Sequence, residues 1–217
     1  MPKKTVGLMG CGTIGAHLAM AIDSGSVANA SLTSLFDIVD GNATDLQTRL
    51  KSNSQVFHDF DRFVDSTANI IIEAASQQAV KNFAKRVIES GKDLMVMSVG
   101  ALADTTFLAE LLQLTPLKNG NSKIYVPSGA IAGIDAIRSV RHIADSITLT
   151  TKKSPKALAG APFFTTRSVS LENITRVTEI YEGTAAEAVK LFPANVNVAA
   201  VLSLAGIGAE KTKVRIL

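Results

Sequence analysis

The sequence contains no tryptophan, two tyrosines and a single cysteine in 217 residues. One cysteine excludes an internal disulfide framework and suits a reducing compartment, so a cytoplasmic location is expected. An excess of charge of either sign is also missing. The 22 Lys+Arg and 19 Asp+Glu leave a net +3, and no Lys/Arg run is longer than two. With aromatics at 5%, this composition excludes a basic, aromatic-rich nucleic-acid surface. Long apolar runs are absent too. The most apolar tract, Val198 to Ala209, is a dozen residues broken by Ser203, short of the ~20 that a membrane span requires. Lys3, Lys4 and the stretch Val6 to Cys11 mimic an exported lipoprotein leader, but the apolar part is about half of the ~7–15 residues of a signal core. What is present is 47% hydrophobic residues against 19% charged, which excludes a disordered chain. A chain of this length buries roughly 70% of its unfolded surface, so its core needs no metal or disulfide staple.

The first half alternates between two periods. Thr5 to Met9 is a short β-branched, apolar run, after which Ile14, Leu18, Ala21 and Ile22 share one helical face, with Gly25 as C-cap. Ser31 to Phe36 is a second strand ending at Asp37, and Thr44 to Leu50 a weak helix behind Gly41 and Asn42. Asn69 to Glu73 reads as a strand covered on both faces. Ser76 then caps a helix bearing Val80, Phe83, Ala84, Val87 and Ile88. Leu94 to Met97 is the next strand, and Asp104 caps a helix with Phe107, Leu108, Leu111 and Leu112. Alternation of this kind implies right-handed crossovers and a doubly wound parallel sheet with helices on both faces, an α/β fold of Rossmann type.

After Lys118-Asn119-Gly120-Asn121 the texture changes. Ser122 to Val126 is a strand, and Pro127-Ser128-Gly129 leads into a helix with Ile131, Ile134 and Ile137. The Thr-rich alternation around Ile147 and Leu149 suits a half-exposed antiparallel sheet. Val177 to Glu182 and Thr212 to Leu217 are strand-like, while Ala185 to Leu191 and Val196 to Leu204 are helical. The expected organisation is a dinucleotide-binding domain over 1–122 and an α+β, mixed-sheet catalytic domain over 123–217.

Gly10-Cys11-Gly12-Thr13-Ile14-Gly15 is a G-x-G-x-x-G that leaves a strand and opens a helix, the context that gives the pattern its mechanics. Gly10 permits the tight turn, Gly12 lets a diphosphate approach the backbone, and Gly15 lets the helix pack on the sheet. The N–H groups of the helix start, at Thr13 and Ile14, receive the anion. Asp37 ends the second strand 22 residues after Gly15, where its carboxylate accepts from the adenosine ribose. No cation follows it until Arg49, so NAD is expected in preference to NADP, which remains possible. Cys11 reads as a small tolerated side chain, slight acidification by the helix terminus being the alternative.

Beyond the cofactor, five blocks resemble the L-aspartate dehydrogenase family, in the family's order. They are Glu73-Ala74-Ala75-Ser76-Gln77-Gln78-Ala79-Val80, Ser98-Val99-Gly100-Ala101-Leu102-Ala103-Asp104, Pro127 to Asp135, Phe192-Pro193-Ala194-Asn195-Val196-Asn197-Val198-Ala199-Ala200, and Leu204 to Gly208. The resemblance implies oxidation of L-aspartate with NAD or NADP to iminosuccinate, which hydrolyses to oxaloacetate and ammonia or feeds NAD biosynthesis. It also implies a homo-oligomer. By matching position it makes Ala130 and Asn197 cofactor contacts and sets Ala74, Ala75 and Ser76 on the nicotinamide side. A helix cap is the alternative for Asn197, and turn packing for Ala130. Lys152-Lys153 match a basic patch, with Lys153 the candidate partner of a substrate carboxylate and Arg138 and Arg141 lesser ones. A solvated lysine pair is the alternative.

In that family the catalytic acid/base is a histidine further along than Leu217. The sequence ends inside a strand, Lys213-Val214-Arg215-Ile216-Leu217, and so resembles a member shortened at its C-terminus, with little or no turnover expected of it. His17 is expected on the helix surface or in packing, His58 in an exposed polar connection and His142 at the far end of the Ile131 helix without a functional role; none has metal-ligand spacing, and no metal site is expected. Two other readings stay open. One is a related enzyme of aspartate-derived substrates, such as homoserine dehydrogenase or dihydrodipicolinate reductase; the other is a cofactor-binding protein without catalysis.

Overall fold

A computed structural model describes residues 3–39, 41–115, 122–167, 171, 174–194 and 196–217. The chain divides into two compact units, Met1–Ser98 with Ala109–Pro127 and Val99–Leu108 with Ser128–Leu217.

The first unit is a six-stranded sheet in which every neighbouring pair is parallel. Its elements are β1 (Lys4–Met9), α1 (Thr13–Asp23), β2 (Ala30–Phe36), α2 (Asn42–Thr48), β3 (Gln55–Phe57), α3 (Phe60–Val64), β4 (Ile70–Glu73), α4 (Gln77–Glu89) and β5 (Asp93–Val96). A 3-10 turn (Val99–Ala103), α5 (Thr105–Leu114) and β6 (Ile124–Tyr125) follow in the chain. The spatial order β3-β2-β1-β4-β5-β6 is the doubly wound arrangement, whose order reverses between β1 and β4. Strand interiors are buried as their composition demands: Leu8, Leu35, Ile71, Leu94 and Val96 are at most 1% exposed. A phenylalanine cluster adds to the packing, with Phe36 stacked on Phe63 at 5.4 Å between centroids and Phe60 on Phe83 at 4.1 Å.

β3 and α3 had no sequence signal, since three and five residues are too few to display a period. Their formation is imposed from outside. Ser34 pairs with Gln55, buried Ser54 donates its hydroxyl to the Leu32 carbonyl at 3.2 Å, and the Gln47 amide donates to the Ser54 carbonyl at 2.5 Å. The polar stretch around His58 is a helix start, with the Asp59 carboxylate accepting from Arg62 N–H at 2.9 Å.

The second unit comprises α6 (Ile134–Val140), β7 (Thr148–Thr151), α7 (Pro155–Leu158), α8 (Pro162–Thr166), β8 (Tyr181–Thr184), α9 (Ala185–Leu191), α10 (Asn197–Ala205) and β9 (Lys213–Ile216), together with the 3-10 turn. Its three strands run in the order β7-β9-β8. β8 is antiparallel to β9, but β7 is parallel to it, with Leu149 opposite Val214. The Thr-rich segment is therefore half-exposed as expected, in a mixed rather than an antiparallel sheet. The strand expected from Val177 begins only at Tyr181, and Val177 is 68% exposed. Phe163, Phe192 and Tyr181 form the aromatic core, with Phe163 stacked on Phe192 at 5.0 Å. The apolar α10 packs against the 3-10 turn.

A capping box opens α9. Glu187 N–H donates to Thr184 Oγ1 at 3.2 Å, and Thr184 N–H donates to Glu187 Oε2 at 3.1 Å. The Thr184 backbone N–H, then its hydroxyl, hold the Glu187 carboxyl below its ordinary 4.5. A depressed carboxyl stabilises the fold above its unfolded pKa, and that stability is lost as pH falls through the folded value. Glu187→Gln is therefore expected to melt below wild type at pH 7, and the gap to close as pH falls from about 4.5. Thermal unfolding of both at a series of pH values checks this; a gap independent of pH would contradict it. Among the described residues no helix is long and apolar enough to cross a membrane.

Candidate functional site

The glycine-rich turn leaves β1 at Gly10, whose N–H donates to the Phe36 carbonyl at 2.9 Å. Gly10 has φ +97°, and a Cβ there would lie 2.7 Å from the Ala74 carbonyl carbon and oxygen and 2.8 Å from the Ala75 Cβ. A Cβ on Gly15 would collide with the Gly10 carbonyl oxygen. These two glycines are thus required by the protein's own packing. Gly12 differs, because a Cβ there would meet nothing within 4 Å. It is the N-cap of α1 and makes no side-chain capping bond, and the first turn carries no acidic residue. Thr13 and Ile14 face outward, Ile14 being 57% exposed. Backbone N–H groups at a helix start, without a capping side chain and beside open space, suit an anionic diphosphate.

Asp37 closes one side of the turn. Its Oδ2 accepts from Cys11 N–H at 2.7 Å and its Oδ1 from Val39 N–H at 2.8 Å. Each carboxylate oxygen retains acceptor capacity after one such bond. Arg49, the next cation in the chain, directs its guanidinium to the Met20 sulfur at 3.6 Å. Cys11 is buried, and its thiol is pushed up to about 12, first by burial and then by the Asp37 charge. The helix terminus therefore does not acidify it.

On the other side of the order reversal, the end of β4 is built around Glu73, a carboxylate with no exposed surface. Its Oε1 accepts from Ala75 N–H and the Ser98 hydroxyl, both at 2.8 Å. Its Oε2 accepts from Met97 N–H at 3.1 Å and Ser98 N–H at 2.9 Å. Ala74 N–H in turn donates to the Met9 carbonyl at 2.8 Å, tying this loop to the glycine-rich turn. Ala75 is exposed. Ser76 is the N-cap of α4, its hydroxyl accepting from Ala79 N–H at 3.1 Å. Sequence reasoning passed over Glu73 as an individual residue; the available signal was a carboxylate closing the run Ile70-Ile71-Ile72.

Ala130, Asn197 and Lys153 belong to the second unit. Ala130 is exposed on a turn after Gly129, which has φ +64°. Asn197 opens α10 without capping it, since the N-cap position is Val196. Instead its Oδ1 accepts from Gly100 N–H at 3.0 Å, so the side-chain oxygen is engaged within its own unit. Lys153 lines a cavity of about 260 Å³ with Lys152, Arg176, Leu158 and Ile180. Ala130 and Asn197 do not line it. Arg138 and Arg141 are exposed. The three histidines are exposed, as expected for His58, and His17 lies on the helix surface rather than in packing. His17 Nδ1 is 2.7 Å from the Thr13 carbonyl, and Arg141 donates to His142 Nε2 at 3.3 Å. No cluster of His, Cys, Asp and Glu suited to a metal occurs among the described residues.

Comparison with known proteins extends these observations. Residues 135–217 match the family model described as aspartate dehydrogenase, C-terminal, and residues 10–127 match that of the homoserine dehydrogenase NAD-binding domain. The chain is similar to the L-aspartate dehydrogenase of Nitrosopumilus maritimus, with 45% identity over 214 residues, 99% of this chain and 78% of the relative. It is similar also to that of Methanosarcina barkeri, with 46% identity, 98% of this chain and 77% of the relative. Among solved structures, the aspartate dehydrogenase of Thermotoga maritima superposes with a TM-score of 0.73 at 27% identity, over 98% of this chain and 77% of that one. GenD2 from gentamicin A biosynthesis, solved in complex with NAD, shares the fold alone, with a TM-score of 0.59 at 13% identity over 100% of this chain and 65% of its own.

Proposed function

The chain belongs to the L-aspartate dehydrogenase family, and from that premise we propose that it oxidises L-aspartate with NAD, giving iminosuccinate and, on hydrolysis, oxaloacetate and ammonia. The observation that carries the cofactor half is the contrast among the three glycines. Two are demanded by internal packing, while Gly12 borders space that nothing in its own unit fills. A diphosphate there takes the N–H groups of the turn and of the start of α1. Asp37, already fixed by Cys11 and Val39, offers its remaining acceptor capacity to the two ribose hydroxyls. A 2′-phosphate would meet that carboxylate with Arg49 turned toward Met20, which favours NAD over NADP. When bound, the cofactor supplies the hydride acceptor; the protein's own groups bind, orient and match charge.

The substrate half rests on the C-terminal family match, because the N-terminal match alone would fit a homoserine dehydrogenase equally well. The Asn197 amide nitrogen is the donor we assign to the cofactor carboxamide or substrate. Lys153, beside Lys152 and Arg176 in a largely aliphatic cavity, is assigned to a substrate carboxylate, an ammonium in such surroundings giving both orientation and charge matching. Ala130 is assigned to cofactor contact through its backbone. Half-exposed β7 supports a second copy packing on this sheet, and the lone buried cysteine suits the cytoplasm.

The decisive experiment combines an NAD and NADP binding titration with reduced-nicotinamide formation from L-aspartate, L-homoserine and L-malate. Binding of NAD with aspartate-specific turnover supports the proposal. Turnover of homoserine instead selects the related enzyme, and NAD binding without turnover selects the non-catalytic reading. Lys153→Ala is expected to raise the aspartate KM roughly ten- to hundredfold, in line with loss of one charge-assisted contact of ~1.5–3 kcal/mol, with NAD affinity unchanged. An unaltered KM removes Lys153 from the site.

A further inference from the structure

We propose that Glu73 is a positioning residue whose carboxylate sets the backbone on which the nicotinamide half of the cofactor is seated; this rests on the NAD reading above. A carboxylate without exposed surface is costly unless its charge is fully hydrogen-bonded, and Glu73 takes four donors between 2.8 and 3.1 Å. The two strands that flank β4 manage their carboxyl ends without such a group: β1 closes on Met9 and β5 on Val96, both buried and apolar. The charge at β4 therefore is not a general need of strand ends in this sheet.

The donors come from two successive loops. Ala75 follows β4, and Met97 and Ser98 follow β5, so the one carboxylate sets the spacing between both loops. Both leave the carboxyl edge of the sheet on the side of the order reversal away from Asp37, since β2 lies on one flank of β1 and β4 and β5 on the other. A dinucleotide gripped at its diphosphate by the β1 turn extends one half toward each flank. The loop after β4 presents only Ala74 and Ala75 before the cap Ser76. These side chains are too short to orient a ring, so backbone position does it, and Glu73 fixes that position. Ala74 N–H on the Met9 carbonyl keeps the same loop in register with the phosphate turn.

Glu73→Gln tests the assignment because it preserves shape. The glutamine oxygen can keep Met97 and Ser98 N–H, and the Ser98 hydroxyl can reverse to accept from the new amide, but Ala75 N–H is left facing a donor. The comparison ligand is ADP-ribose, which carries the half gripped by Asp37 and the glycines. For E73Q, ADP-ribose affinity is expected to stay within threefold of wild type while NAD affinity falls at least tenfold. Generalised loosening of the fold would weaken both alike. Ser98→Ala, which removes a single donor and keeps the carboxylate, is expected to move the NAD to ADP-ribose ratio about threefold in the same direction and serves should E73Q not fold. Equal losses for the two ligands, or an unmoved ratio in either folded variant, overturn the role of Glu73 alone. Failure of the unsubstituted chain to bind either ligand overturns the cofactor reading, and this inference with it.

Discussion

Gly12→Ala is expected to fold as wild type does and to bind NAD about a hundredfold more weakly or worse. Gly12 has φ −70° and ψ −163°, an extended conformation open to alanine, and the added methyl meets no protein atom within 4 Å. Reduced freedom of the unfolded chain and the weaker capping preference of alanine are both small and opposed, so the melting temperature should barely move. The methyl instead occupies the approach of the diphosphate to the backbone, and loss of one or two charge-assisted hydrogen bonds at ~1.5–3 kcal/mol each gives the stated factor. Gly15→Ala is the control with the opposite signature. Its methyl collides with the Gly10 carbonyl oxygen, and overpacking of ~1–3 kcal/mol should lower the melting temperature by roughly 2–12 °C. Calorimetry and an NAD titration on both variants separate the two costs. A destabilised Gly12→Ala, or one with undiminished NAD affinity, would remove the diphosphate from this turn.

Asp37→Ser is expected to collapse the preference for NAD over NADP by about a hundredfold. Two changes contribute with the same sign. The ribose hydroxyls lose a charged acceptor, weakening NAD by ~1.5–3 kcal/mol, and the 2′-phosphate no longer faces a carboxylate, strengthening NADP. Asp37→Asn separates charge from hydrogen bonding, since the amide keeps one acceptor oxygen for either Cys11 or Val39 N–H. It should give an intermediate ratio. Competition titrations of both cofactors measure the ratio directly, and a wild-type protein that binds NADP more tightly would refute the assignment of Asp37.

These residues were legible before any fold was known because the turn chemistry is local: three glycines, a strand before, a helix after, a carboxylate at the next strand end. The doubly wound parallel class followed from helix and strand periods that alternate over most of the chain up to α5, whereas the strand order has no mark in those periods. Glu73 was not legible in the same way. Its partners are backbone N–H groups 24 and 25 residues on, and a backbone donor leaves no mark in a sequence. β3 and α3 were invisible because the pairing with Ser34 and the Asp59 cap, not a repeating pattern, make them. The parallel pairing of β7 with β9 was likewise hidden, since alternation reveals which face of a strand is covered but not which way its neighbour runs. Asn197 was read as a ligand contact or a cap, yet its oxygen is bonded to Gly100 N–H, a link between segments 97 residues apart. The substrate came from resemblance alone, for no spacing in the sequence encodes a dicarboxylic amino acid.

The assignment of Val99–Leu108 to the second unit bears on any attempt to dissect the protein. The chain passes from one unit to the other after Ser98, back after Leu108 and across again after Pro127, so no single cut separates them. A fragment ending at Pro127 would keep β6 but carry Val99, Ala101, Leu102 and Phe107, each at most 9% exposed in the intact chain, without α10 to cover them. A fragment ending at Ser98 would lose β6 and leave β5 as a bare sheet edge. Interleaving of this sort makes the two halves obligate companions, and fragment work on this protein would need a circularly rearranged or looped-out design rather than a truncation.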